Sequence, residues 1–161
     1  MIKLVFFDFD NTISENHFDE LERIQKSYDG LSPQASRYLS QLHFPEKVFA
    51  ECKPVNVMRN AMYYFTNEGA KIALLSWCTN PILMELKKKF CEEHYTGLFD
   101  FYAFSQSRTD KLEWIQAYCA YYGIALSECL LIDDDFETLS GARKLGIQTM
   151  SIVETCNTFR K

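Results

Sequence analysis

The sequence predicts an α/β fold built on a parallel sheet of about five strands. From about residue 57 to residue 153, short apolar runs alternate with amphipathic helical patterns. Strands that alternate with helices need crossover connections, which are right-handed almost without exception and make neighbouring strands parallel. The first apolar run, 2–7, is interrupted by a single lysine, as is typical of a buried central strand. These observations indicate a Rossmann-like sheet with helices on both faces and a small helical insert after the first strand.

The predicted elements follow one another in a regular order. The first strand covers 2–7 and the insert covers 13–56. The helices after it cover 57–68, 81–94, 111–122 and 136–145, and the strands cover 71–76, 101–104, 129–133 and 147–153. Glycine, the residue that most often ends a helix, follows three of these helices, and Asn80-Pro81 is a helix start signal. We find no repeat or interdomain linker, and we expect a single domain over 1–161.

The insert, 13–56, is predicted to consist of short helices. Ser32-Pro33 has the pattern of an N-cap followed by proline in the first turn, and an apolar stripe at helical spacing follows from Ala35 to Leu42. Pro45 and Pro54 bracket a third short piece. Five polar residues could contact a substrate, although a solvated helix face is the expected role of each: Glu15, Asn16, His17, Arg23 and Arg37.

Composition excludes several classes of protein. The chain has 161 residues and a net charge of -5, so binding to nucleic acid through a broad basic surface is not expected. The basic run 87–89 lies near the end of a predicted helix and is interpreted as a solvated face. No apolar run is long enough to cross a membrane, and we expect no membrane partner. Six cysteines without a CxxC pair indicate reduced core thiols, and hence a cytoplasmic protein.

Chemically useful side chains fall at four strand or helix ends. Asp8 and Asp10 follow the first strand, and Ser76 closes the next predicted strand. Ligands of open α/β sheets bind beyond the carboxyl ends of the strands, so we expect these groups to meet. Each residue alone has an ordinary explanation: an Asp-Asn turn, a strand end, a surface lysine behind Asp110. Their order along the chain is more specific than any one of them: Asp8 with Asp10, Ser76, Lys111 and Asp133 to Asp135.

This set of side chains suits phosphoryl transfer. A carboxylate can attack phosphorus and form an aspartyl-phosphate, which divides one difficult displacement into two easier ones. Mg²⁺ binds carboxylate and phosphate oxygens and offsets the crowding of negative charge. A hydroxyl and an ammonium stabilise the oxygens of the transferred group. A second carboxylate two residues after the first can protonate the leaving oxygen and later deprotonate water.

The motifs resemble those of the haloacid dehalogenase (HAD) superfamily. The similarity extends over 1–12 and about 57–153, including an Ala-Arg-Lys-Leu-Gly-Ile run at 142–147, and leaves out the insert. Asn11 stands where glycine is frequent in that family. The matching residues occur in the family's order: Asp8-Phe9-Asp10-Asn11-Thr12, Ser76, Lys111 and Asp133-Asp134.

The resemblance implies a role for each matching residue. Asp8 would be the nucleophile and a Mg²⁺ ligand, and Asp10 the general acid/base whose backbone carbonyl also binds the metal. Ser76 would hydrogen-bond the phosphoryl oxygens, and Lys111 would stabilise the nucleophile and the developing charge. Asp133 would ligate Mg²⁺, directly or through water, and Asp134 would support it as the fourth residue of the metal site. Asp135 is predicted to be the N-cap of the helix that begins at Phe136.

The resemblance also implies a phosphatase-type enzyme with a small cap. Within that family, the acidic residue at the position of Asp10 points to phosphomonoester hydrolysis through an aspartyl-phosphate. A small cap suits a bulky phosphorylated substrate, whether small molecule or macromolecule, or closure by a second subunit in a homo-oligomer. The alternative function is a non-catalytic HAD-fold module that holds a cation and binds a protein through the insert. A phosphorylatable receiver domain is disfavoured because its lysine follows the last strand, whereas Lys111 precedes Asp133.

Overall fold

The computed structural model describes residues 1–15, 30–32, 35, 39, 43 and 45–160. Seven strands lie in these ranges: β1 (Leu4–Phe7), β2 (Ser14–Glu15), β3 (Lys53–Pro54), β4 (Lys71–Trp77), β5 (Phe101–Ser105), β6 (Cys129–Ile132) and β7 (Gln148–Met150). The helices described there are α1 (Pro45–Glu51), α2 (Asn56–Asn67), α3 (Pro81–His94), α4 (Lys111–Tyr122), α5 (Phe136–Lys144) and α6 (Ile152–Phe159), with a 3₁₀ turn at Leu126–Glu128.

The main sheet has five parallel strands in the order β5-β4-β1-β6-β7. Strand β1 lies in the centre, where Phe7 is level with Leu74 of β4 and with Ile132 of β6. The carboxyl ends of these three strands therefore meet at one edge of the sheet. The predicted parallel sheet of about five strands is confirmed.

Helices cover both faces of the sheet, as predicted. Alternate residues of β1 point to opposite faces, since side chains in a strand have a period of two. Val5 and Phe7 pack in a core with buried residues of α2 and α3, together with partly buried residues of α6. Leu4 and Phe6 pack in a second core, against α4 and α5. Burial on both faces explains the nearly continuous apolar sequence of β1.

The prediction of a strand over 147–153 is wrong at the carboxyl end of that range. Strand β7 stops at Met150, and α6 begins at Ile152. The Ser151 hydroxyl accepts a hydrogen bond from the Glu154 amide at 3.1 Å and caps the helix. The Ser-x-x-Glu spacing of a capping box was therefore present in the sequence, but the apolar pair after Ser151 continued the strand pattern.

Part of the predicted insert, 13–56, lies in the described ranges. The chain pairs β2 with β3 in a short antiparallel ribbon, which the prediction of helices alone had not included. Helix α1 precedes β3, and the Ala35 amide donates to the Ser32 hydroxyl at 3.2 Å, the contact expected of the predicted cap. Glu15 is exposed. Four of the predicted substrate contacts lie outside the described residues: Asn16, His17, Arg23 and Arg37.

Buried Tyr95 joins the two chain segments at the base of this region. Its hydroxyl donates to the Ile13 carbonyl at 2.6 Å and accepts a hydrogen bond from the Val55 amide at 2.9 Å. The Val55 amide also lies 3.3 Å from the Ile13 carbonyl. One side chain thus fixes the point where the chain leaves the region of the sheet and the point where it returns.

Replacing Tyr95 by Phe is expected to lower the free energy of unfolding by about 1–2 kcal/mol, because two buried backbone groups lose a partner. Urea unfolding measures this change. The control is Tyr121→Phe on exposed Tyr121, which should unfold like the wild-type protein. Equal stability of both variants and the wild type would show that the Tyr95 hydroxyl contributes nothing at this junction.

None of the helices in the described ranges combines the length and the hydropathy that crossing a membrane requires. Five of the six cysteines are buried and Cys156 is partly exposed, in agreement with the prediction of core thiols.

Candidate active site

Asp8 lies directly after the central strand and is held from two sides. Its amide donates to the Ile132 carbonyl of β6 at 3.0 Å, and its side chain is almost fully buried. The Thr12 hydroxyl donates to Asp8 Oδ2 at 3.3 Å. The amides of Thr12 and Ser14 both donate to the Phe9 carbonyl at 3.2 Å, which closes the turn after Asp8. The position of the Asp8 carboxylate is therefore set by the turn as well as by the sheet.

Asn11 lies within this turn and has a positive φ. Its φ of 58° is left-handed, a conformation that asparagine tolerates better than most residues other than glycine. Asparagine at this position is thus compatible with the backbone conformation required here.

Lys111 connects the loop after β1 with the loop after β6. As the first residue of α4 it is buried, and its Nζ donates to Asp8 Oδ1 at 2.8 Å and to Asp133 Oδ2 at 3.0 Å. Burial alone would lower the pKa of Lys111, but the two carboxylates outweigh that effect and raise it. The alternative of a surface lysine behind an Asp110 cap is wrong, because Lys111 is buried and Asp110 makes no side-chain cap bond to α4.

Three carboxylates crowd together beside Lys111. Asp8, Asp133 and Asp134 each offer an oxygen, and these oxygens lie within 4.8 Å of one another. Burial, and then the neighbouring Asp8 carboxylate, raise the pKa of Asp133. Asp134 is exposed as a residue, but its carboxyl group faces the other two; partial burial and their proximity raise its pKa to about 8. One ammonium cannot neutralise three ionised carboxylates, which is why the pKa of Asp134 is raised, and a divalent cation would stabilise the ionised form of this group.

The structure thus brings together three of the four predicted metal ligands. Their donor atoms are all carboxylate oxygens, which fit Mg²⁺ and do not resemble the nitrogen and sulfur sites of zinc. The Asp10 carboxylate has a different neighbour, since Asp10 Oδ2 lies 3.2 Å from the ammonium of Lys87. Binding of the metal by the Asp10 backbone carbonyl stays a prediction.

Lys87 is a site residue that the sequence analysis missed. The prediction of a solvated face for 87–89 is wrong at Lys87, which is only 2% exposed. Its Nζ donates to Ser76 Oγ at 2.8 Å as well as to Asp10, and it lies 5.1 Å from the centre of the Phe9 ring. The sequence did hold a signal, because Lys87 follows buried Leu83 by four residues and shares the apolar face of α3.

Ser76 lies at the carboxyl end of β4, next to two residues of different character. Ser76 is buried and faces the same cleft as Asp8. Trp77 also lines the cleft and is 53% exposed, so its ring forms an aromatic wall of the cleft. Cys78 is buried, and burial raises the pKa of its thiol, which is typical of an unreactive cysteine.

Asp135 caps α5, as predicted. Its side chain accepts a hydrogen bond from the Thr138 amide at 3.2 Å, and Arg108 Nε donates to Asp135 Oδ2 at 3.0 Å. The hydrogen bond from Arg108 is the largest cause that lowers the pKa of Asp135, to about 2. The third aspartate of the triplet is therefore used by the helix cap and by Arg108.

These residues line one cleft of about 880 Å³ at the carboxyl edge of the sheet. The predicted site residues all contribute to its lining, and Lys87 is added to them: Asp8, Asp10, Ser76, Lys87, Lys111, Asp133 and Asp134. The arrangement pairs a carboxylate cluster able to hold a cation with two buried ammonium groups and one hydroxyl.

The sequence matches no family model and no curated protein. The fold, in contrast, is similar to those of several solved structures. A HAD-superfamily hydrolase of subfamily IA, variant 1, from Geobacter sulfurreducens has a TM-score of 0.67 at 12% identity over 94% of this chain and 89% of that chain. A haloacid dehalogenase-like hydrolase from Streptococcus pneumoniae has a TM-score of 0.65 at 14% identity over 93% of this chain and 84% of that chain.

A third similar structure was determined with ligands. It is a HAD family enzyme from Bacteroides thetaiotaomicron in complex with magnesium and inorganic phosphate, with a TM-score of 0.61 at 16% identity over 94% of both chains. The similarity covers nearly the whole length of both proteins. The chain therefore has the fold of the haloacid dehalogenase-like hydrolases.

Proposed function

We propose that the chain is a Mg²⁺-dependent phosphomonoester phosphatase that acts through an aspartyl-phosphate on Asp8. The observation that carries this proposal is the bridge from Lys111 to both Asp8 and Asp133, with Asp134 beside them. These residues come from three separate parts of the chain and converge at one cleft. A fold shared with hydrolases, one of them crystallised with magnesium and inorganic phosphate, supports the same function.

In the first step the Asp8 carboxylate attacks phosphorus, and the bond from phosphorus to the ester oxygen breaks. Asp10 gives its proton to that leaving oxygen. In the second step Asp10 removes a proton from water, which attacks the phosphorus of the aspartyl-phosphate. The bond from phosphorus to the Asp8 oxygen breaks, so inorganic phosphate leaves and both carboxyl groups return to their starting states.

Two other side chains would stabilise the transferred group. The Ser76 hydroxyl donates a hydrogen bond to a phosphoryl oxygen, and the Lys111 ammonium balances negative charge beside Asp8. Both side chains are buried and already held by neighbours, so little reorganisation is needed during the reaction. Such preorganised donors account for most of the catalysis of phosphoryl transfer.

Asp8, Asp133 and the Asp10 backbone carbonyl would hold the Mg²⁺ ion, with Asp134 supporting them. Bound there, the ion would neutralise phosphoryl charge and orient the substrate. We further propose one HAD-like domain over 1–161 with 13–56 as its cap insert. The substrate would be a phosphorylated small molecule or macromolecule in the cytoplasm.

Phosphate release from a panel of phosphorylated metabolites and p-nitrophenyl phosphate tests this function. The purified protein is assayed with Mg²⁺ and with excess EDTA. We expect turnover of at least one ester that stops when EDTA is added and returns with Mg²⁺. Stabilisation of the protein by Mg²⁺ without turnover of any ester would contradict the proposed phosphatase function and favour a cation-binding module instead.

A further inference from the structure

Lys87 is a buried cation that the motifs leave without a role. It lies on α3, while the residues it contacts lie after β1 and at the end of β4. Its two hydrogen-bond partners among the described residues, Asp10 and Ser76, are both proposed participants in the reaction. A long flexible side chain loses much conformational freedom when it is buried, so a lysine in this position needs specific compensation.

We infer that Lys87 is a positioning residue, which orients the Ser76 hydroxyl and holds the Asp10 carboxylate for phosphoryl transfer. This inference rests on the proposed function and adds to it a residue outside the four motifs.

The orientation of Ser76 follows from the chemistry of the donor. An ammonium has hydrogens to donate and no lone pair, so in the 2.8 Å contact the Ser76 oxygen must accept. A serine hydroxyl carries a single hydrogen, which is then directed away from Lys87. Ser76 lines the cleft, where that hydrogen can be donated to a phosphoryl oxygen. Without Lys87 the hydroxyl could rotate and present a lone pair to the phosphoryl group instead.

Lys87 also contacts Asp10, and this contact fixes the Asp10 side chain as the previous one fixes the Ser76 hydroxyl. Lys87 Nζ lies 3.2 Å from Asp10 Oδ2, while the Asp10 side chain remains about one third exposed toward the cleft. One oxygen of the Asp10 carboxyl group is thus held, which limits rotation of the other oxygen, the one that carries the proton transferred in the first step. Acid-base catalysis depends strongly on this kind of placement, because proton transfer needs hydrogen-bond distance in the transition state.

Steady-state kinetics of Lys87→Met, with Lys89→Met as the matched control, test the inference. Methionine keeps the length of the side chain without its charge, and Lys89 belongs to the same lysine run but is exposed. For p-nitrophenyl phosphate we expect Lys87→Met to lower kcat about 10- to 100-fold with a smaller change in KM. Lys89→Met should match the wild type.

Two further comparisons separate positioning from a purely structural effect. The loss should be larger for an alkyl phosphate than for p-nitrophenyl phosphate, because a poor leaving group depends more on the acid. Ser76→Ala combined with Lys87→Met should cost less than the sum of the single losses, since Lys87 acts through Ser76. Thermal unfolding checks that each variant is folded, and Lys87→Gln replaces Lys87→Met if the latter is not.

Activity of Lys87→Met within twofold of Lys89→Met would overturn the inference. Equal losses for both esters would overturn the part concerning Asp10, and additive losses would overturn the part concerning Ser76. A wild-type protein without any phosphatase activity would instead overturn the proposed function.

Discussion

Replacing Asp8 by Asn is expected to abolish phosphate release, with a loss of kcat of at least about 10³-fold. The amide has nearly the same shape as the carboxylate, but it cannot attack phosphorus. The substitution also removes one of the three acidic groups that face each other beside Lys111. The fold should survive, because Asp133 still pairs with Lys111 and the decrease in repulsion among the carboxylates offsets part of the lost Asp8–Lys111 attraction.

Asp135→Asn is the matched control for this substitution. Asp135 lines the same cleft, but it caps α5 and pairs with Arg108, and asparagine is also a good N-cap. We expect this variant to keep its kcat within a few-fold. Phosphate release and thermal unfolding are measured on both variants. Substantial turnover by folded Asp8→Asn would exclude Asp8 as the nucleophile.

Replacing Lys111 by Met is expected to destabilise the metal-free protein by about 3–5 kcal/mol, the usual cost of removing one partner of a buried ion pair. Asp8 and Asp133 would lose the only ammonium that bridges them in the described part of the chain. Because the pKa of Lys111 is raised above its ordinary value, the group is charged throughout the neutral range. Its contribution is fully present at pH 7 and is lost only in strongly alkaline solution.

Magnesium should recover part of this lost stability. Without Lys111 the three carboxylates attract a divalent cation more strongly, so Mg²⁺ should raise the Tm of Lys111→Met more than that of the wild type. Urea and thermal unfolding in EDTA and in Mg²⁺ measure both effects, with Lys88→Met on partly exposed Lys88 as the control. A variant as stable as the wild type in EDTA would contradict the importance of the bridge.

The meeting of Asp8, Lys111 and Asp133 could be anticipated from the sequence because topology alone produces it. Parallel strands bring their carboxyl ends to one edge, whatever the separation of those ends along the chain. Lys111 lies 103 residues from Asp8 in the sequence. The alternation of strands and helices nevertheless places both residues at the same edge of the sheet. The same reasoning could not find Lys87. In the sequence Lys87 is one of three consecutive lysines, and only its rotational position on α3 distinguishes this buried lysine from Lys88 and Lys89.

The elements that were missed are those whose local signals conflict or are too short. Ile152 and Val153 continue an apolar run, so the strand pattern obscured the cap at Ser151 that starts α6. Strands β2 and β3 have two residues each, too few for any periodicity to show. Their pairing joins residues about forty positions apart, and the hydroxyl of Tyr95, which is still farther along the chain, contacts the Ile13 carbonyl beside it.

The contacts of Tyr95 with Ile13 and Val55 fix both ends of the chain segment that lies between these two residues. Because Ile13 and Val55 are tethered to one another and to Tyr95, the turn that presents Asp8 does not depend on the length of the chain between them. Lengthening such a connection costs little free energy, since closure entropy rises only slowly with length. Among the described residues of this connection, α1 contacts the core, where the Phe49 ring lies 5.8 Å from that of Phe9. Insertions or deletions between Ile13 and Val55 should therefore leave the turn that carries Asp8 in place.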